Sequence, residues 1–115
     1  MFTKILTERN LHMKSKKIIN DLTKKPIKTN LYYCEPMKDK LLLIPNSTIN
    51  SDCIEIIELN GVAKLIWESM ENYNIQQLIA TVCSWFDRID MDILTKDTCE
   101  FLQSLFEKKA IEFID

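Results

Sequence analysis

Residues 58–67, Glu58-Leu59-Asn60-Gly61-Val62-Ala63-Lys64-Leu65-Ile66-Trp67, decide how this chain folds. Leu59 closes an apolar, β-branched run that begins at Cys53. Asn60 carries a side-chain oxygen able to accept from the free N–H groups of a first helical turn. Beyond it, Val62, Leu65, Ile66 and Met70 recur at the spacing of one helix stripe. The stretch therefore predicts a strand running directly into a helix capped by Asn60.

Upstream, Leu31-Tyr32-Tyr33-Cys34-Glu35 has the β-branched and aromatic content of a short strand, and Lys40-Leu41-Leu42-Leu43-Ile44 is a second apolar run. Between them, Pro36-Met37-Lys38-Asp39 reads as the turn of a hairpin. Residues 45–52 are dense in turn formers and predict a loop. The third strand, Cys53 to Leu59, has an ambiguous parity. Cys53, Ile57 and Leu59 share one face while Ile54 and Ile56 share the other. Apolar residues on both faces hint at a covered or partner-facing surface.

Downstream, Asn74 with Gln77 three residues on has the spacing of a capping box. Leu78, Ile79, Val82, Cys83 and Phe86 give the second helix its apolar face. Asp87-Arg88-Ile89-Asp90 links it to a third helix, Met91 to Lys108, with Phe101, Leu102, Leu105 and Phe106 as its core stripe and Leu94 and Thr98 extending it. Ile111, Phe113 and Ile114 predict a short extended segment at the end. Acidic pairs such as Asp90/Asp92 and Asp97/Glu100 read as helix caps or a solvated face. Trp67 and Trp85 read either as closing residues of a small core or as anchors lining a groove.

The 115 residues have room for one domain, and 46% hydrophobic with 28% charged residues is the balance of a globular protein. No apolar run reaches the ~18 residues of a membrane helix, and the N-terminus lacks the apolar core of a secretory signal. Cys34, Cys53, Cys83 and Cys99 are far apart in sequence, which predicts buried, reduced thiols in a cytoplasmic protein. The net charge of −2 hides a division. Residues 1–30 hold eight Lys or Arg against two acids, whereas residues 31–115 hold seven against fifteen. Residues 1–30 thus form a basic arm: a docked helix ending before Lys25-Pro26, a helix formed on binding, or a mobile segment. His12, the only histidine, lies in that arm without a partner for general base work. The cysteines and His12 do not offer zinc-ligand spacing, and a single glycine leaves no phosphate-cradling loop. The expectation is a chain that is not an enzyme and needs no cofactor or metal.

Three strands followed by three helices predict an α+β, winged helix-turn-helix-like domain over 31–115, with a three-stranded antiparallel sheet. Three strands cannot close a barrel, so the sheet keeps open edges. "ELNGVAKLIWESME", continued by "NIQQLIATVCSWFDRI" and "TKDTCEFLQSLFEKKAIEF", resembles the PqqD-like proteins, the recognition elements for precursors of ribosomally made, post-translationally modified peptides. The resemblance spans 31–115 and rests on the order and spacing of elements. It departs where such proteins place a glycine after the last helix, since this chain has Lys108-Lys109-Ala110. It implies a leader-peptide chaperone whose third strand receives the leader by β-strand addition. A separate maturase, in this family's settings often a radical SAM enzyme, then acts on the tethered precursor. Carried onto this chain, the peptide-facing strand residues are Cys53, Ile54, Glu55, Ile56, Ile57 and Glu58. The facing helix contributes Thr95, Lys96, Thr98, Cys99, Leu102 and Gln103; Thr98, Cys99 and Leu102 have an equal claim to be core. Two other classes compete. A winged-helix DNA-binding regulator would need a basic recognition helix, and the acidic second and third helices argue against it. An adaptor would dock an acidic partner through the basic arm.

Overall fold

The computed structural model describes residues 18–46 and 55–115. The expectations that fall on residues 1–17, including His12, and on residues 47–54, including Cys53 and Ile54, lie outside the described residues.

Three antiparallel strands, β2 (Tyr32–Met37), β3 (Lys40–Pro45) and β4 (Ile57–Asn60), form a sheet in the order β2-β3-β4. Lys38 and Asp39 make the hairpin turn, with Lys38 at φ 57°. Leu41 opposes Leu59 and Leu43 opposes Ile57. Alternation sends these four toward the helices, and Leu41, Leu43 and Leu59 are buried. Glu58 points to the other face, where its carboxylate pairs with Lys40 Nζ at 2.7 Å. Leu59 is thereby a core residue, and Ile56, on the parity of Glu58, is half exposed.

The junction after β4 differs from expectation in one respect. Helix α1 (Gly61–Ser69) follows directly, but Asn60 makes no side-chain cap bond. Asn60 is extended, Gly61 turns the chain at φ +52°, and Asn60 Oδ1 is buried without a hydrogen-bond partner. The only glycine of the chain supplies the left-handed step that other residues resist. The stripe that α1 buries is consequently Ala63, Ile66, Trp67 and, in the following 3-10 turn (Met70–Asn72), Met70, while Leu65 faces solvent. That spacing of three, four and seven is a helix face rotated from the expected one.

Helix α2 (Ile75–Cys83) starts at the expected capping box. Gln77 N–H donates to Asn74 Oδ1 at 2.8 Å and Asn74 N–H to Gln77 Oε1 at 2.9 Å. Helix α3 (Met91–Glu107) is capped by Asp90, whose carboxylate accepts from Asp92 N–H at 2.9 Å. Its end is a Schellman turn: Ala110 N–H donates to Leu105 O at 2.8 Å and Lys109 N–H to Phe106 O at 3.0 Å, with Lys109 at φ 67°. The geometry is kept without the glycine.

Beyond the expected elements, β1 (Lys25–Lys28) pairs antiparallel with β5 (Ile111–Ile114), from Lys25 opposite Ile114 to Lys28 opposite Ile111. Pro26 is tolerated because a two-stranded ribbon leaves each strand one unpaired side. Residues 18–24 are irregular, so no helix runs up to Lys25-Pro26 through them. They are nonetheless attached, with Ile19 and Leu22 packed on the core and Lys24 O accepting from Ile75 N–H at 2.9 Å. The core lies between the helices and one face of the β2-β3-β4 sheet, centred on Leu43, Leu59, Ile66, Leu78, Phe101, Leu102 and Leu105.

Candidate functional site

Among the described residues β4 has a strand neighbour on one side, β3, and none on the other. Its free border presents main-chain donors and acceptors to whatever lies beside it. The end of α3 is tied to the segment that leads into β4 by an ion pair: Lys108 Nζ lies 2.7 Å from Glu55 Oε1, two residues before β4 begins. Tyr32 OH anchors the same helix end by donating to Lys108 O at 2.8 Å.

At 100° per residue, α3 divides into three faces. Leu94, Thr98, Phe101, Leu102 and Leu105 form the core stripe and are buried. Asp97, Ser104 and Lys108, seven and four residues apart, form a flank on one side of it, the flank that Lys108 ties to Glu55. Ile93 and Glu100 extend that flank toward solvent, Ile93 being half exposed. Asp97 was expected on a solvated face but is only 4% exposed. Its position three residues after Leu94 and four before Phe101, at the margin of the apolar stripe, explains the difference. Burial pushes its carboxyl above the ordinary carboxylate range, neighbouring Glu100 pushes further, and Lys96 pulls back.

The remaining flank of α3 carries Thr95, Lys96, Cys99 and Gln103. The chain's own residues 18–22 lie against it. Ile19 N–H donates to Gln103 Oε1 at 3.1 Å, and Gln103 Nε2 donates to Glu107 Oε2 at 2.8 Å. An open cleft of about 350 Å³ runs between Ile18, Ile19 and Leu22 on one side and Asp92, Thr95, Lys96 and Cys99 on the other.

The residues singled out from the sequence therefore separate into three groups. Ile57 and Glu58 belong to β4, and Glu55 and Ile56 immediately precede it. Thr98 and Leu102 are 0% exposed, inside the core, with Thr98 Oγ1 lacking a hydrogen-bond partner. Thr95, Lys96, Cys99 and Gln103 lie against residues 18–22. The flank that holds Ile93, Asp97, Ser104 and Lys108, of which Lys108 reaches Glu55, was not selected from sequence. A carboxylate at the edge of a helix's apolar stripe was the available signal. Trp67 is buried, with Lys28 Nζ 4.8 Å from its ring centroid, whereas Trp85 is 37% exposed. The thiols are free and unequal: Cys34 is exposed, Cys83 half-buried and Cys99 buried, its thiol pushed up by burial and by Glu100. Cys34 is thus not the buried thiol expected of it: directly opposite Leu43 it shares the core-side face of the sheet, but on the edge strand β2 it stays exposed. Among the described residues no three metal-binding side chains cluster, and no helix is long and apolar enough to cross a membrane.

Residues 41–111, from the second strand of the sheet to the start of β5, match the model of the family described as coenzyme PQQ synthesis protein D, PqqD. The chain belongs to the PqqD family. The match covers the free-bordered strand and all three helices, and stops short of β1. Among solved structures, this PqqD-family chain is similar to TbiB1 in complex with the TbiA(β) leader peptide. The identity is 19% and the TM-score 0.62, over 74% of this chain and 93% of that one, a likeness of fold. No curated protein matches.

Proposed function

We propose that this PqqD-family protein is a leader-peptide-binding element. It holds the N-terminal leader of a ribosomally made precursor peptide and presents the remainder to a separate modifying enzyme. The observation that carries the reading is the border of β4 that has no strand neighbour among the described residues. An extended peptide added there gains main-chain hydrogen bonds from Ile57 to Asn60, which are indifferent to sequence, while its alternate side chains meet α3, which is not. Family membership and the fold shared with a protein solved around a leader peptide support the same reading. The chain contributes binding, and the chemistry belongs to its partner, whose local substrate concentration rises through tethering.

The test is a titration of isotope-labelled full-length protein with synthetic leader segments of candidate short precursor peptides. The largest amide shifts are expected at Ile57, Glu58, Ile93, Asp97 and Ser104. Shifts confined to residues 18–22 and the opposite flank of α3 would overturn strand addition at β4; no shifts at saturating peptide would overturn leader binding.

A further inference from the structure

A cleft stands open where the described chain begins. It encloses about 350 Å³ between Ile18, Ile19 and Leu22 on one wall and Thr95, Lys96 and Cys99 of α3 on the other. Ile19 and Leu22 pack on the core and Ile19 N–H donates to Gln103 Oε1, so the first wall is held in place. Ile18 is 38% exposed, and so is nearly half of Met91, one turn before Thr95 on the same side of the helix. A concave surface of this volume lies at the small end of the range that takes a ligand. The preceding part of the chain is suited to it. Residues 1–17 carry Phe2, Ile5, Leu6, Leu11 and Met13, with five Lys or Arg against one acid, whereas residues 18–115 carry ten against sixteen. Opposite net charges draw the two together. At the cleft itself Asp92 has no ion pair among the described residues, but Lys96 opposes part of its attraction, so apolar contact carries most of the binding. The reach is sufficient. Asp92 to Cys99 spans about 10 Å along the helix axis, and the chain from Met13 to Ile18 extends to about 17 Å. Because the segment is joined to the rim of the cleft, its effective concentration there is on the order of millimolar, which populates a contact too weak for a free peptide.

We propose that this cleft is the docking site of the chain's own residues 1–17, with Leu11 and Met13 laid between Ile18–Leu22 and the Met91–Cys99 side of α3. Docking here is independent of peptide binding at β4 and needs neither a precursor nor a modifying enzyme. The arm of a second copy, or a peptide from outside, meets the same surface only at its bulk concentration, below that of the tethered segment. The basic arm is then part of the domain, and the α3 surface beneath it is closed to other partners.

The test is nuclear magnetic resonance of the isotope-labelled full-length chain. Wild type is expected to give nuclear Overhauser contacts from the methyl groups of Leu11 and Met13 to those of Thr95 and Leu22. The full-length double variant Leu11→Ser, Met13→Ser should move the amide signals of Thr95, Lys96 and Cys99, which are remote from the substituted residues in sequence. The amides of Leu43, Leu59 and Ile66 should stay in place, showing that the fold is kept. Thr95→Arg, which fills the cleft from α3, should lower the contacts from Leu11 and Met13 to Leu22 at least ten-fold. A sample mixing two differently labelled copies identifies whose arm is bound. Contacts that join only different copies put a neighbour's arm in the cleft and overturn the proposal. Absent contacts in wild type, or α3 amides that do not move in the double variant, overturn it as well. None of these outcomes alters the leader titration at β4, so the two readings stand or fall separately.

Discussion

Lys109 offers a quantitative test of how α3 ends. It occupies the left-handed position of a Schellman turn at φ 67°. A side chain there brings Cβ against the following carbonyl, at roughly 1–2 kcal/mol. Replacing it by glycine removes that strain but adds backbone freedom to the unfolded chain, which returns about 0.5–1 kcal/mol. The net expectation for Lys109→Gly is a gain of about 0.5–1 kcal/mol, or about 2–5 °C in melting temperature for a chain of this length. The bonds that define the turn are main-chain bonds from Lys109 N–H and Ala110 N–H, and Thr29 Oγ1 donates to Lys109 O at 2.7 Å. All of them survive the substitution. Lys109→Ala is the comparator, because it also removes the lysine side chain yet keeps Cβ. The glycine–alanine difference therefore isolates the backbone. Thermal melts followed by circular dichroism read it directly. If Lys109→Gly melts at or below Lys109→Ala, the left-handed conformation assigned to residue 109 is wrong.

Two further outcomes follow from the same geometry. Gly61→Ala should destabilise by about 0.5–1 kcal/mol in urea unfolding, the backbone strain less the entropy the unfolded chain loses, with no steric part because a Cβ at φ +52° would meet no atom within 4 Å; an unchanged midpoint would show that the chain does not turn into α1 there. Asp97 should leave a signature in the pH dependence of stability. Its carboxyl titrates above the ordinary value of 3.8 in the folded state, so the native protein binds the extra proton and stability falls as pH rises from about 4 through the folded value. Melting curves across that range should lose this component in Asp97→Asn, which should also melt higher than wild type at neutral pH; parallel curves would contradict an unpaired, buried Asp97.

What the sequence makes legible is local. The Asn74–Gln77 box and the Asp90 cap are decided within four residues, and both occur where their spacing puts them. The hairpin is similarly read from two apolar runs and a short turn. On α1, Ile66 and Met70 are buried and Val62 packs against the core as expected, whereas Leu65 is exposed and Ala63 and Trp67 are buried, so the face is turned partway from the expected one. The pairing of β1 with β5 joins residues more than eighty positions apart, and Lys25-Pro26-Ile27-Lys28 has neither the length nor the alternation that marks a strand. On α3 periodicity placed Leu94, Thr98, Phe101, Leu102 and Leu105 in the core. Phe106, expected with them, is 43% exposed and stacks on Phe113 of β5 instead, and the two flanks of the stripe are alike in sequence. That one flank is tied to Glu55 through Lys108 and the other is covered by residues 18–22 are both tertiary events. Asp97 was therefore taken for surface.

The ribbon formed by β1 and β5 constrains how the basic N-terminal segment can be studied. Thr29, just past β1, bonds to Lys109 and Ala110 through both its hydroxyl and its amide, and Lys28 N–H donates to Glu71 at 2.9 Å. A truncation at residue 30 would strip these links, bare the border of Ile111–Ile114 and loosen the anchorage of α3. Lost affinity in such a truncate would then report a damaged scaffold and say nothing about basic side chains. Cutting ahead of Ile18, or neutralising the lysines in place, separates the two.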